Sequence, residues 1–250
     1  MDIRTVLVPL LISTTLGLAA CDQNSSGSDS IDQVNKDIAA LNEQSRENQR
    51  RQIEEEGVAN VDDEHLNEMG NILENAAENS TGKQAEILRE QASLIRELQS
   101  SVQAYDEILD ELVTAGGIDA STVTSADDIA NRIDIVDRLD AQNERMAIAQ
   151  PRILRRMGEI EGTSATIEKQ IVIHNQIREI DRQLFTVMRG ILNITGDHLD
   201  GMQVLDDGSV MFGEDMPDEV LAEYNALIDE VNQLSANQGQ LQLELLKLAP

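Results

Sequence analysis

Val220, Tyr224, Leu227, Val231, Leu234, Gln238, Leu241, Leu245 and Leu248 follow one another at alternating steps of four and three residues. Only an α-helix gathers such positions on one face, because a strand's period of two would scatter them over both sides of a sheet. The spacing recurs in Leu88, Gln91, Ile95, Leu98, Val102, Tyr105, Leu109 and Leu112, and again in Ile173, Ile177, Ile180, Leu184, Val187, Ile191 and Ile194. A fourth run, Ile153, Met157, Ile160, Ser164, Ile167 and Ile171, is one residue out of phase with the run that follows it. Stripes of this kind are seams along which helices insert side chains into holes on their neighbours. The chain is therefore expected to be all-α, an elongated antiparallel helical bundle with coiled-coil-like packing. A fifth run, Ile31, Val34, Ile38 and Leu41, fades into Asn, Gln and Arg near residue 45, which predicts a first helix that is partly exposed or a stalk.

The punctuation agrees. Gly57, Gly116-Gly117 and Gly196 stand where helices can stop, and Thr81 with Gln84 and Thr124 with Asp127 have the spacing of a capping box. Pro217 falls near the first turn of the last helix, and Pro151 predicts a kink or break inside a long one. Met202–Leu205 and Ser209–Phe212 flank Asp206-Asp207-Gly208 and read as a small β-hairpin, about residues 202–212, inserted before the last helix. Because an isolated hairpin is marginal in water, it is expected to lie on the bundle.

The first twenty residues read differently. Arg4 precedes the mostly apolar stretch Val6–Ile12, and Leu16–Ala20 is small and apolar. The apolar part is too short to span a bilayer and has the layout of a secretory signal peptide. It ends in Leu18-Ala19-Ala20-Cys21, which resembles the bacterial lipobox. That resemblance implies cleavage before Cys21 by the lipoprotein signal peptidase, with Leu18, Ala19 and Ala20 as its recognition residues. It also implies acylation of Cys21 and anchoring of the protein in the lipid bilayer. Several acyl chains on one residue anchor stably where one does not. Asp22 resembles the inner-membrane retention signal of enterobacterial lipoproteins, with the outer membrane as the alternative. The expected organisation is a signal peptide at 1–20, a polar Ser-rich tether at 21–30, and a helical domain at 31–250, facing the periplasm.

A second resemblance concerns the C-terminal fifth. Gly208-Ser-Val-Met-Phe212, followed by Glu223-Tyr224-Asn225-Ala-Leu227-Ile228, is similar to the corresponding part of YiaF-like lipoproteins of enterobacteria. Those also carry a lipobox and a largely helical, Gln- and Leu-rich body. The resemblance implies no catalytic residue.

Charge narrows the partners. The chain has 250 residues, 19 Lys plus Arg against 47 Asp plus Glu, and a formal charge of −28. Such a surface repels nucleic acid, whose binding requires cations to displace counterions, and it does not dock flat on anionic lipid. Residues 195–250 hold 12 acids and one base, Lys247, whereas residues 132–194 nearly balance, with 9 acids and 10 bases. Arg138, Arg145 and Arg152 share a helical face, and Arg178, Arg182 and Arg189 form a second cluster. Acids such as Asp134, Asp137, Glu144 and Glu179 lie within a turn of them, so ion pairs within the bundle are expected in preference to a phosphate site.

Few motifs in the sequence carry chemistry. Ser80-Thr81-Gly82-Lys83 has the S-x-x-K spacing of penicillin-binding acyl-transferases, but the S-D-N and K-T-G elements that chemistry requires are missing. A P-loop fails on Ala77 and Gln84, which replace the first Gly and the Ser or Thr of that motif. The three histidines, His65, His174 and His198, are preceded three residues earlier by Asp62, Ile171 and Thr195, which excludes the Glu-x-x-His pairs of a di-iron bundle. Glu64, His65 and Glu68 read as a polar helix start rather than a metal site, and His174 as a satisfied or boundary seam residue. Asp197, His198 and Asp200, with Asp206, Asp207, Glu214 and Asp215 nearby, lack an EF-hand pattern. With one cysteine, no Trp, two Tyr and two Phe, neither a thiolate metal site nor a sugar-stacking cleft is expected.

No catalytic residue, metal or cofactor is assigned, and the protein is not expected to be an enzyme. The expected role is that of a structural or interaction lipoprotein, a scaffold or accessory subunit of the cell envelope. Its partners would be the bilayer through Cys21, and a protein partner or a second copy through the helical seams, with no nucleic acid. The alternative is an inhibitor or immunity-type protein that binds a basic periplasmic enzyme or toxin. An unrecognised hydrolase ranks below both.

Overall fold

The computed structural model describes residues 28–59, 63–205, 210–213 and 216–248, with side chains from Gln33 onward. Among them are six long helices: α1 (Ser28–Glu56), α2 (Asp63–Glu78), α3 (Gly82–Thr114), α4 (Ala126–Glu161), α5 (Ser164–Asp197) and α6 (Asp218–Leu248). Each of α2 to α6 lies against the next, and α1 lies against both α2 and α6. The sequential helices are antiparallel: α4 meets α3 through Arg138 with Glu111 at one level and Arg156 with Glu90 at another, one number rising as the other falls. At about 1.5 Å per residue the 36-residue α4 is about 54 Å long, so the bundle is elongated.

The seams are the core. All eight positions of the Leu88–Leu112 stripe are buried, Gln91 among them. Leu184, Val187 and Ile191 of α5 and Val231, Leu234 and Leu245 of α6 join them. Burying side chains of this size stabilises by roughly 1.5–3 kcal/mol each. α2 is fastened to α3 by Arg96, which reaches over Gly70 to Glu74, Asn67 and Asn71.

Several expectations are corrected. The helix α1 begins at Ser28, inside the segment 21–30 read as a tether. Nor does α1 become a stalk: its stripe turns polar instead of ending, and Asn42, Ser45 and Gln49 are buried between Ile38 and Ile53. The fourth run is not one helix. Gly162, at φ +73°, ends α4 in the left-handed conformation and α5 starts at Ser164, so the run turns a corner. Pro151 does not break α4, which continues ten residues beyond it.

The caps shift as well. α4 is capped by Ser125, whose side chain accepts the N–H of Asp128, one residue later than the predicted Thr124–Asp127 box, and Thr81 makes no side-chain cap to α3. Gly196 lies within α5, where a Cβ would stand 3.3 Å from Ile129 Cδ1.

The hairpin is present in short form. Gln203 pairs with Met211 and Val204 with Val210; the predicted turn, Asp206-Asp207-Gly208, lies outside the described residues. It rests on α6 through Phe212, whose ring meets that of Tyr224 edge-on at 5.1 Å.

Candidate functional site

The residues with the clearest sequence signal, Leu18, Ala19, Ala20, Cys21 and Asp22, lie outside the described residues. Within them, the most unusual chemistry is a buried polar layer across α3, α4, α5 and α6, which the apolar stripes did not indicate.

Its centre is Arg178 on α5, 6% exposed. One guanidinium nitrogen donates to Asn143 Oδ1 at 2.6 Å and the other to Gln150 Oε1 at 2.6 Å. Those two acceptors are two turns apart on α4, so a single side chain fixes the level at which the helices meet. Asn143 Nδ2 returns a bond to the Arg178 carbonyl. Three residues on, Asp181 is 2% exposed and accepts from Gln238 Nε2 on α6 at 2.8 Å. Burial pushes the Asp181 carboxyl up to about 7, against the opposing pull of Arg178 and Gln238. Burial likewise brings Arg178 down to about 10, with Asp181 and Tyr105 opposing.

Tyr105 on α3 feels Asp181 and Arg178, and burial first, then Asp181, holds its hydroxyl well above the usual tyrosine range. His174, one turn before Arg178, is 3% exposed, and burial with the neighbouring Arg178 drops it to about 3, so its imidazole is neutral. His174 Nδ1, Tyr105 Oη, Arg178 Nε and Gln238 Oε1 have no hydrogen-bond partner among the described residues. His174 is therefore a deep core residue with an unmet Nδ1, neither the satisfied nor the boundary residue expected. A buried unmet polar group costs roughly 1–3 kcal/mol, so this layer costs stability and returns specificity: the helices match only where Arg178, Asn143, Gln150, Asp181 and Gln238 coincide. Among the described residues, none of these lines the clefts at Glu64–Glu68, at Glu107–Ile135 or between Glu43 and Lys247.

Gln242, one turn beyond Gln238, joins this layer to the α1–α2 connection. Its side chain accepts from the N–H of Ala59 at 3.0 Å and donates to the carbonyl of the same residue at 3.3 Å. Ile53, Ala59, Leu245 and Leu246 close around the junction.

A second polar centre organises the α3–α4 connection. Arg132, 1% exposed, grips both carboxylate oxygens of Asp128 at 3.0 Å. It also donates to the carbonyls of Gly117, Asp119 and Thr122. Gly116 is obligatory there: at φ +93° a Cβ would stand 2.2 Å from Thr122 Oγ1.

The other predicted sites resolve as follows. Arg138 pairs with Glu111, Arg152 with Glu97, and Arg189 with Asp137 and Asp140. The expected ion pairs thus form, mostly between helices rather than within one. Among the described residues, Arg145 reaches Gln142 and no acid. Arg178, Arg182 and Arg189 do not converge: Arg178 is buried, and Arg182 pairs with Glu179 on the surface. Glu64, His65 and Glu68 line a polar cleft with α1, at an acidic helix start. Ser80 and Lys83 sit at the α2–α3 turn. Asp197 and Asp200 are exposed, and Asp206, Asp207, Glu214 and Asp215 lie outside the described residues. No three His, Cys, Asp or Glu converge as metal ligands among the described residues. Asp106 is pushed up to about 7 by burial and by Asp63 and Asp110, and it is not among the residues lining the groove beside Asp110.

No protein-family model, curated protein or solved structure matches this chain. No helix of the described residues is long and apolar enough to cross a membrane.

Proposed function

We propose that this protein is a lipid-anchored, periplasm-facing lipoprotein whose helical body acts as a scaffold or accessory subunit of an envelope assembly. The observation that carries this reading is the order of features: the box Leu18-Ala19-Ala20-Cys21, then Asp22, then a long helical body starting at Ser28. Six residues, 22–27, separate the acylated Cys21 from α1. At roughly 3.6 Å per residue they reach no more than about 25 Å. The bundle is then held close to one membrane face, where its effective concentration toward a membrane partner is high. Asp22, which resembles the inner-membrane retention signal, supports the inner membrane as that face, with the outer membrane as the alternative.

The carboxyl of Asp181, shifted upward, is sealed in the core at 2% exposure, which favours a binding body over a hydrolase. Membrane fractionation tests the anchor. Full-length protein should sediment with membranes and Cys21→Ala should appear in the soluble fraction. Retention of the Cys21→Ala chain on the membrane would refute the lipid anchor.

A further inference from the structure

We propose that the hairpin end of the bundle is a docking surface for a cationic amphipathic segment of a partner protein, an apolar stripe flanked by Lys or Arg. The inference rests on the interaction reading above and names the surface that serves it.

Among the described residues six large apolar side chains are exposed, and four of them, Val204, Leu205, Met211 and Leu221, fall on the hairpin and the first turn of α6. They do not all share one face: Val204 pairs with Val210 and, by the alternation along the strands, lies on the side of Phe212. The pairing of Gln203 with Met211 puts Leu205 and Met211 on the same side of the hairpin, opposite Phe212. Phe212 is turned onto Tyr224, so the Leu205–Met211 side points away from the helix. Leu221 lies one turn before Tyr224, the residue that Phe212 meets. A two-stranded hairpin is marginal alone, and here its inner side meets α6 through Phe212 while Val204 on that side stays half exposed. The outer apolar side contributes nothing to that packing, and apolar patches of this kind mark sites of association.

Charge selects the occupant. Asp197, Asp200, Asp218, Glu219 and Glu223 are exposed around this end. They form no ion pair with the Arg or Lys side chains described, whereas Asp137, Asp140, Glu90, Glu97 and Glu111 farther along the bundle all do. The last base of the chain, Lys247, is at the opposite end of α6. A patch with an apolar centre and an uncompensated acidic rim repels anionic lipid and a second copy of itself. It attracts a partner with apolar anchors and a basic border, by long-range steering and then by burial of the anchors.

The probe is a fluorescein-labelled synthetic helical peptide of Leu and Lys, titrated by anisotropy into the full acylated chain in phosphatidylcholine nanodiscs. Binding should weaken at least about tenfold between about 50 and about 500 mM salt. The charge-neutral pair Leu205→Ser with Met211→Ser should lose affinity by about tenfold or more. Asp218→Asn with Glu219→Gln and Glu223→Gln should weaken binding and flatten its salt dependence. The same number of neutralisations at Glu54, Glu55 and Glu56, exposed on α1, should leave it unchanged.

Equal losses from the α1 set, or wild-type binding by the Leu205→Ser/Met211→Ser chain, would overturn the proposal in favour of unspecific charge attraction. Dimerisation abolished by Leu205→Ser/Met211→Ser would overturn it in favour of a second copy. Binding to phosphatidylglycerol vesicles abolished by the same pair would do so in favour of lipid. The Cys21→Ala chain should bind the peptide as the wild type does, so failure of the anchor and failure of the docking surface read out separately.

Discussion

Gly239 of α6 and Gly57 of the α1–α2 connection meet so closely that a Cβ on Gly239 would stand 2.0 Å from the Gly57 carbonyl oxygen. The obstacle is backbone, not the movable end of a side chain. Gly57 itself is at φ +87°, a conformation glycine adopts without strain. Gly239→Ala should therefore force the connection off α6 and destabilise by about 1–3 kcal/mol, the range for overpacking. Denaturant titration would measure it, and amide exchange at Val58 and Ala59 should quicken selectively. Unchanged exchange there would show that the contact does not hold α1.

Gln242 is the polar half of the same junction, since it bonds both the N–H and the carbonyl of the fully buried Ala59. Gln242→Leu keeps the volume and leaves both groups unmet, at a cost of roughly 1–3 kcal/mol. Because Gly239→Ala already displaces Ala59, the two substitutions should combine to less than their sum. Full additivity in a double-mutant cycle would mean that they report on separate contacts.

Arg132 makes a sharper test of a buried charge. Arg132→Ala would abandon the carbonyls of Gly117, Asp119 and Thr122 and leave Asp128 without its cation, which costs about 3–5 kcal/mol. Arg132→Lys should recover only part of this, because an ammonium cannot present the planar fork that meets Asp128 through two nitrogens. Equal stability of the Lys variant and the wild type, by denaturant titration, would refute that geometric argument.

The helices were legible because their signal is local. The Leu88–Leu112 stripe predicted eight inward positions on α3 and all eight are buried. The turn at Gly162 was hidden by the core's own continuity, for Ile153, Met157, Ile167 and Ile171 keep facing it after the chain reverses. The extent of α1 was missed for another reason. Ile38, Asn42, Ser45, Gln49 and Ile53 continue the same spacing, but a search for apolar periodicity cannot see polar seam residues. His174, Arg178 and Asp181 also stand at steps of four and three, which is the signal that could have placed Arg178 inside instead of with Arg182 and Arg189. Their hydrogen-bond partners on α4 and α6 are 28 to 57 residues away, and no local pattern records such a match.

The buried carboxyl of Asp181 should make the protein less stable as pH rises. It is near 7 in the folded state against an ordinary value of 3.8, so between these limits the folded chain holds a proton that the unfolded chain has lost. Stability from this group is complete below about pH 4 and falls as pH rises through 7, by up to about 4 kcal/mol. Asp181→Asn keeps an acceptor for Gln238 and should flatten that decline in denaturant titrations across the range. Asp106, raised to about 7 as well, should leave a residual slope of the same sign. An unaltered slope in Asp181→Asn would show that Asp181 ionises without cost where it sits.

His174 should act in the opposite direction over an overlapping range. Its folded value is near 3 against an ordinary 6.5, so the unfolded chain takes up the proton first as the solution is acidified. The stability of the neutral imidazole is fully present above about pH 6.5 and is lost as pH falls toward 3, by up to about 4–5 kcal/mol. Between about pH 4 and 6.5 the Asp181 and His174 contributions therefore oppose each other, and the wild-type profile should be flatter than that of either single variant. His174→Leu removes the acid-side loss and should leave stability rising steadily toward low pH until the surface ion pairs of Glu74, Glu111 and Glu168 protonate. If His174→Leu and Asp181→Asn instead change the slope in the same direction, the two groups do not titrate as their burial and their common neighbour Arg178 require.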